Sequence, residues 1–134
     1  MRSITVLAMT LLCSCGPSIQ SGAGEGVALR VVPGEVSAGD SVTLVLANGT
    51  ADAVGYNLCT SGLERQVDDD WQPAASDRVC TMELRTLGPG EETRYPIEIA
   101  EGVVAGVYRF VTSIEMTDRG GLSSIGSGPF QIRP

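Results

Sequence analysis

The densest group of chemically versatile side chains lies between Cys59 and Cys80. This stretch holds two of the chain's four cysteines, its single tryptophan, Trp71, and its longest run of acidic residues. The two cysteines can form a disulfide, and an aromatic ring beside carboxylates can contact a partner protein. Strand-like segments flank the stretch on both sides, so its chemistry depends on how these segments position it.

The acidic run consists of Asp68, Asp69 and Asp70. Three carboxylates offer the oxygen ligands that Ca²⁺ prefers, but the Asp-x-Asp-x-Asp-Gly spacing and distal glutamate of an EF-hand are absent. A polar hairpin tip between Val67 and Trp71 explains the run more simply. The sequence therefore predicts no metal site, and the three aspartates and Trp71 are candidate contacts for a partner.

Two interpretations of Trp71 are open. The ring can cover one face of the hairpin by packing against Leu63 or Val67, or it can form a platform for a ligand. The packing interpretation is favoured. An exposed Trp71 at the tip would indicate binding, whereas a packed Trp71 would indicate a structural hairpin.

Composition argues against catalysis and against nucleic acid. The chain contains no histidine, the usual general base near neutral pH, and no Gly-x-Ser-x-Gly or Ser-x-x-Lys motif. Its formal net charge is −7, which does not suit a polyanionic partner. The sequence predicts a protein that is not an enzyme, needs no cofactor and binds no nucleic acid.

Residues 1–15 have the organisation of an export signal. Arg2 precedes an apolar run from Ile4 to Leu12, and small residues and cysteine follow. The run is shorter than the roughly 20 apolar residues that cross a bilayer. This order of segments is typical of a secretory signal peptide; a buried N-terminal strand is the alternative.

The end of this segment, Leu12 to Cys15, resembles the lipobox of bacterial lipoproteins. In that pattern a leucine three residues before the cysteine, and a small residue just before it, direct cleavage. The resemblance implies that residues 1–14 are removed as a signal peptide and that Cys15 carries the lipid that anchors the protein in the bilayer. Cys13 fits less well, because the bulky Leu12 would occupy the cleavage position. An ordinary secretory signal without lipidation is the alternative.

Residues 15–26 would then form the lipidated cysteine and a flexible tether. Gly16 replaces the aspartate that, by resemblance to the sorting rule of Gram-negative lipoproteins, marks retention in the inner membrane. We therefore expect an extracytoplasmic, lipid-anchored protein, on the outer membrane if the host is Gram-negative. If Cys13 leaves with the signal, Cys59 and Cys80 remain as an even number, which suits an oxidising compartment.

From Val27 onward, apolar and polar residues alternate with a period of two, and Gly, Pro, Asn and Asp separate the segments. Asn48-Gly49-Thr50 matches the N-glycosylation sequon, but a turn explains it better. Pro96 predicts an edge strand, or a strand whose N–H side faces outward at this residue, because proline cannot donate a ladder hydrogen bond. The predicted strands cover 27–32, 41–48, 54–59, 63–67, 81–87, 93–99, 106–116 and a last segment that ends at Ile132.

Several motifs in succession resemble a bacterial immunoglobulin-like domain found in secreted and lipid-anchored proteins. The resemblance covers about residues 27–116 and implies an all-β, immunoglobulin-like antiparallel β-sandwich of about seven to nine strands over residues 27–134. The family supplies no catalytic residues. The motifs are Gly39-Asp40-Ser41-Val42-Thr43-Leu44, Leu46-Ala47-Asn48-Gly49-Thr50, Leu63-Glu64-Arg65 before Asp70-Trp71, Leu87-Gly88-Pro89-Gly90-Glu91, and Gly106-Val107-Tyr108-Arg109-Phe110.

Cys59 and Cys80 are not spaced around Trp71 like the inter-sheet disulfide of antibody domains. We predict a local disulfide that staples a hairpin between the end of one strand and the start of another. Two free cysteines packed as small apolar residues are the alternative.

These features together predict a non-catalytic module with a binding, adaptor or structural role, whose partner is an unknown envelope protein. The alternative function is a protease inhibitor or modulator that acts through the stapled hairpin 59–80, because a rigid loop loses less entropy on binding.

Overall fold

The computed structural model describes residues 26–74, 76–118 and 120–134, which form strands joined by turns and loops. The predicted signal peptide, Cys13, Cys15 and Gly16 lie outside the described residues. Within these ranges the one helical element is a 3₁₀ helix, Leu58–Thr60. The strands are β1 (Val27–Val32), β2 (Glu35–Ser37), β3 (Ser41–Asn48), β4 (Val54–Tyr56), β5 (Gly62–Val67), β6 (Asp70–Pro73), β7 (Arg85–Leu87), β8 (Glu92–Glu98), β9 (Gly106–Met116), β10 (Gly121–Gly126) and β11 (Phe130–Arg133).

The smaller sheet contains three antiparallel strands in the order β1-β3-β8. Val42, Leu44 and Leu46 of the central strand β3 are buried on one face, as the alternation predicts. Pro96 lies in β8 at the edge of this sheet, so the N–H group that proline lacks is not needed to pair with a further strand. The predictions for this sheet are confirmed.

The outward-facing residue Val45 is also buried, which the alternation does not explain. Its register partners on the two neighbouring strands are Arg30 and Arg94. Both arginines form ion pairs with Glu92, at 3.1 Å and 3.3 Å. Long arginine side chains cover apolar surface with their methylene groups while the charged ends stay in water. The two arginines thus shield Val45 on the outside of the sheet.

Strand β9 is the centre of the larger sheet. On one side it pairs with β11 and then β10, and on the other side with β5 and then β4. Strand β2 pairs in parallel with β11, β7 pairs with β4, and β6 pairs with β5. The long strand β9 therefore aligns four antiparallel neighbours, and the β5–β6 hairpin lies at one margin of the sheet.

The core lies between the two sheets and draws apolar side chains from both. The ring of Phe110 stacks on that of Phe130 with 5.6 Å between the centroids. Most of the remaining core is aliphatic, as the low aromatic content predicts. The all-β sandwich expected from the sequence is confirmed. The buried residues of the core include Leu29, Val42, Leu44, Leu46, Ile97 and Ile99 on the side of the smaller sheet, and Val54, Tyr56, Leu63, Leu87, Tyr108, Ile114 and Ile132 on the side of the larger sheet.

The described residues form eleven strands, more than the seven to nine expected. Two of the predicted strands are shorter than expected, β2 and β6 were not predicted as strands, and the last predicted segment divides into β10 and β11. The strand expected at 81–87 is confined to Arg85–Leu87, because the Asn57 side-chain amide donates to the Thr81 carbonyl oxygen at 2.7 Å in place of a continued ladder. The strand expected at 54–59 ends at Tyr56, where the chain turns into the 3₁₀ helix. Strand β2 is short and pairs with a distant segment, so no local pattern indicates it.

The sequon residue Asn48 is a buried structural residue, with 1% of its surface exposed. Its Nδ2 group donates to the carbonyl oxygens of Asp52, Leu87 and Gly88 at 2.8–3.1 Å. Its Oδ1 atom accepts from the backbone N–H and the hydroxyl of Thr50. The amide is fully engaged inside the protein, and the chain bends directly after β3, at residues 50–52.

Candidate functional site

Cys59 and Cys80 form a disulfide, as predicted, with 5.7 Å between their Cα atoms. Its position differs from the prediction, however. Cys59 lies in the 3₁₀ helix and Cys80 in an irregular segment, so the bond does not join the ends of two strands. The closed loop contains the whole β5–β6 hairpin and the beginning of residues 76–84, which we call the return segment. The disulfide thus fastens the return segment to the sandwich.

Asp68 and Asp69 form the two-residue turn of the β5–β6 hairpin. Val67 pairs with Asp70, and both turn residues have positive φ angles, of 48° and 69°. Two successive left-handed residues define a type I′ turn, whose twist matches that of the strands. Over residues 26–74, 76–118 and 120–134, no three histidine, cysteine, aspartate or glutamate side chains lie close enough together to hold a metal ion. The acidic run lies at the hairpin tip, as the sequence predicts.

Trp71 does not pack against Leu63 or Val67, so that prediction was wrong. The two-residue turn places Trp71 opposite Gln66, and the pleat directs it to the outer face of the sheet. There the Cζ atom of Arg109 lies 4.5 Å from the centre of the indole ring. Trp71 is half-buried against β9, away from the tip.

Glu64 completes this cluster on the outer face. It is the register partner of Arg109, and its Oε2 atom accepts from Arg109 Nε at 2.6 Å. The guanidinium is held between a carboxylate and an aromatic face, which are the two kinds of partner that arginine binds best. The cluster fixes the hairpin to β9. This packing of Trp71 against the sandwich favours a structural role for the hairpin.

Arg78 is the second fastening of the return segment. Its Nε group donates to the Cys59 carbonyl oxygen at 3.2 Å, and its Nη2 group donates to the Ser61 carbonyl oxygen. The Cζ atom lies 5.9 Å from the centre of the Phe110 ring. Burial lowers the pKa of Arg78 below its usual value, because desolvation disfavours the charged form. Nothing in the local sequence distinguishes this arginine from the exposed ones.

Between Arg78 and Cys80, and after Cys80, the return segment exposes apolar side chains. Val79 is 98% exposed and Met82 is 92% exposed, directly on either side of the Cys80 disulfide and Thr81. Leu84 is 56% exposed and covers Gly55, where an added Cβ would lie 3.0 Å from a Leu84 methyl group. The predicted strand 81–87 half-buries Met82 and Leu84, and the predicted hairpin 59–80 includes Val79, so the exposed apolar surface that these residues form was not predicted.

The described part of the chain holds no helix with the length and apolar character that a membrane crossing requires.

The two sheets and their topology define the class of the protein as an all-β sandwich. No model of a protein family matches the chain, and no curated protein matches it. The solved structures that are similar to it include the following three. Each is 14% identical to this chain, so the likeness concerns the fold alone.

The first is Spo0M, a sporulation control protein from Bacillus subtilis, with a TM-score of 0.47; the match covers 84% of this chain and 50% of that chain. The second is an ASH/PapD-like domain of human CEP192, with a TM-score of 0.39; the match covers 98% of this chain and 94% of that chain. The third is a β-glucosidase from Listeria innocua in complex with gluconolactone, with a TM-score of 0.32; the match covers 78% of this chain and 16% of that chain. This chain therefore spans half the length of Spo0M.

Proposed function

We propose that the protein is a non-catalytic, lipid-anchored module that binds a partner protein outside the cytoplasm, at the cell envelope. The observation that carries this proposal is the exposure of Val79 and Met82 on a segment held by both a disulfide and Arg78. Single exposed apolar residues are common on proteins. Two nearly fully exposed ones on a doubly fastened segment suit an apolar pocket in a partner, because a segment ordered before binding loses less entropy.

The remaining parts of the proposal rest on the sequence. The absence of histidine supports a role without catalysis. A disulfide between the two cysteines of the domain supports an oxidising compartment. The lipobox-like segment that ends at Cys15 supports attachment to a membrane by lipid, with residues 15–26 as the tether.

The anchor is tested by replacing Cys15. In cells that express Cys15→Ser, we expect the protein to move from the membrane fraction to the soluble extracytoplasmic fraction. Cys13→Ser is the matched control and should remain in the membrane fraction. If Cys15→Ser stays in the membrane fraction to the same extent as the unmodified chain, the anchor proposal is wrong.

The binding surface is tested by photocrosslinking in intact cells, with a photoreactive residue placed singly at Val79 or Met82. Leu122 is the control, since it is also apolar and 76% exposed but lies on β10. We expect one discrete crosslinked species from both return-segment positions and none from Leu122. The same species from all three positions, or none from Val79 and Met82, would contradict the proposed surface.

A protease inhibitor or modulator is the second candidate. The exposed Val79, next to the disulfide, favours it, since an inhibitor must present a rigid side chain to a protease pocket. The return segment, at the end of the loop 59–80, would supply this side chain in place of the hairpin tip. The test is the inhibition constant against a panel of extracellular proteases. An inhibitory chain should lose potency in Val79→Gly and keep it in Leu122→Gly.

A further inference from the structure

A cleft of about 530 Å³ lies between the β5–β6 hairpin and the loop that joins β8 to β9. Its volume is within the range of about 300–1,000 Å³ that is usual for small-molecule sites. Its walls are mainly apolar, and Val104 is 60% exposed on one of them. The walls include Val67, Pro73, Ala74, Val103, Val104 and Tyr108.

Arg65 lines the same cleft from β5. Gly106 lets its guanidinium approach the backbone, because an added Cβ there would lie 3.1 Å from Arg65 Nε. Arg65 Nη2 donates to the Ala105 carbonyl oxygen over a long 3.4 Å, and the buried Nε has no hydrogen-bond partner. A guanidinium has five N–H donors. Most of the donor capacity of Arg65 is therefore unused.

Arg65 differs in this respect from the other arginines that the structure describes. Five of them lie within 4 Å of a glutamate, and Arg78 donates to two backbone carbonyl oxygens. Within residues 26–74, 76–118 and 120–134, no carboxylate forms a salt bridge with Arg65. A partly buried guanidinium without a carboxylate, facing apolar walls, is the arrangement that an aliphatic acid would complete.

We propose that this cleft binds a small aliphatic monocarboxylate. The carboxylate accepts hydrogen bonds from Arg65, and the hydrocarbon packs against Val67, Pro73 and Val104. The Tyr108 hydroxyl already donates to the Val104 carbonyl oxygen, so Arg65 is the anchor. Asp77 also lines the cleft, and its negative charge disfavours a second carboxylate on the ligand. The lining of the cleft does not include Val79 or Met82, although Asp77 belongs to the return segment.

The test is an NMR titration of the full-length, ¹⁵N-labelled protein with hexanoate. We expect saturable shifts of the Arg65 Nε–Hε and Gly106 N–H signals, no such shifts with hexanol, and weaker binding of succinate. The carboxylate can belong to a free aliphatic acid or to the C-terminus of a peptide. A parallel titration with N-acetyl-leucine distinguishes these two sources. Tighter binding than hexanoate indicates the end of a peptide chain, and weaker binding indicates a free acid. If neither acid shifts the two signals saturably, the proposal is wrong.

Variants separate the site from general anion binding. Arg65→Gln should weaken hexanoate binding by about tenfold or more, because it removes a charge-assisted, bidentate contact. Arg30→Gln, on the smaller sheet, should leave the affinity unchanged. Asp77→Asn keeps Arg65 intact and should tighten binding by about two- to fivefold, so the proposal stays testable if Arg65→Gln does not fold. Equal affinity in all three variants and the unmodified chain would overturn the proposal.

Discussion

The guanidinium of Arg109 lies over the indole ring of Trp71, with 4.5 Å between Cζ and the ring centre. This contact joins the β5–β6 hairpin to the central strand β9 across the outer face of the sheet. It assigns the chain's single tryptophan to the attachment of the hairpin. The nearly fully exposed apolar side chains, Val79 and Met82, lie instead on the return segment, on either side of Cys80.

Replacing Arg109 should loosen the hairpin. Arg109→Met removes the cation–π contact and the 2.6 Å bond to Glu64, and we expect it to lower the free energy of unfolding by about 1–2 kcal/mol. Urea unfolding measures the loss, and Trp71 fluorescence should shift to the red as the ring gains contact with water. Arg133→Met, at an exposed pair with Glu35, is the control and should change stability by less than about 0.5 kcal/mol. Equal losses in the two variants would contradict the role given to Arg109.

The strands were predictable because period-two alternation is a local signal, and β3, β8 and β9 carry it clearly. The contacts of Trp71 and Arg78 were not. Trp71 contacts Arg109 only because the hairpin turn sets its face and the pairing of β5 with β9 sets its neighbour. Arg78 is buried by its hydrogen bonds to two distant carbonyl groups. Such non-local partners leave no mark on the sequence around either residue.

The disulfide should contribute substantially to stability. Its sequence separation is 21 residues, and closing such a loop in the unfolded chain corresponds to about 3 kcal/mol in the chain-entropy model. The double replacement Cys59→Ser with Cys80→Ser should lower the free energy of unfolding in urea by about that amount. Mass spectrometry of the non-reduced protein checks the pairing itself. Free thiols at both positions would show that the bond does not form.

Arg78 should hold the return segment independently of the disulfide. Arg78→Met leaves the carbonyl groups of Cys59 and Ser61 without their donor, at a cost of about 1–3 kcal/mol. The ¹⁵N heteronuclear NOE of the Val79 amide should fall in the same variant, because the backbone of the return segment becomes more mobile. Arg85→Met is the matched control, since Arg85 is exposed and lies 3.8 Å from an exposed glutamate. An unchanged NOE at Val79 would mean that the disulfide alone orders the segment.

The hairpin turn should tolerate glycine better than aspartate. Asp69 has a φ of 69°, a backbone conformation that is strained for residues with a Cβ atom. Asp69→Gly should therefore raise the free energy of unfolding by about 0.5–1 kcal/mol. Asp70→Gly, one residue later in β6, should lower it by a similar amount, because glycine weakens a strand.

Calcium at millimolar concentration should leave the melting temperature unchanged. A rise of several degrees would show that the acidic run binds the ion.

Asn48 offers a pH-dependent test of the buried turn. In Asn48→Asp, the new carboxylate would face the carbonyl oxygens of Leu87, Gly88 and Asp52, which have lost their donor. Burial and these oxygens would raise the folded-state pKa of the new carboxyl above its unfolded value of about 3.9.

The folded Asn48→Asp variant would therefore bind more protons than the unfolded one, and its stability relative to the unmodified chain should fall as pH rises through the folded pKa. We expect a loss of about 3 kcal/mol or more at pH 7 and a smaller loss at pH 4, measured by urea unfolding at both values. Asn57→Asp, at an exposed hydrogen bond to Thr81, is the control and should show a much smaller difference between the two pH values. The same pH dependence in both variants would show that Asn48 is not the buried donor on which the turn depends.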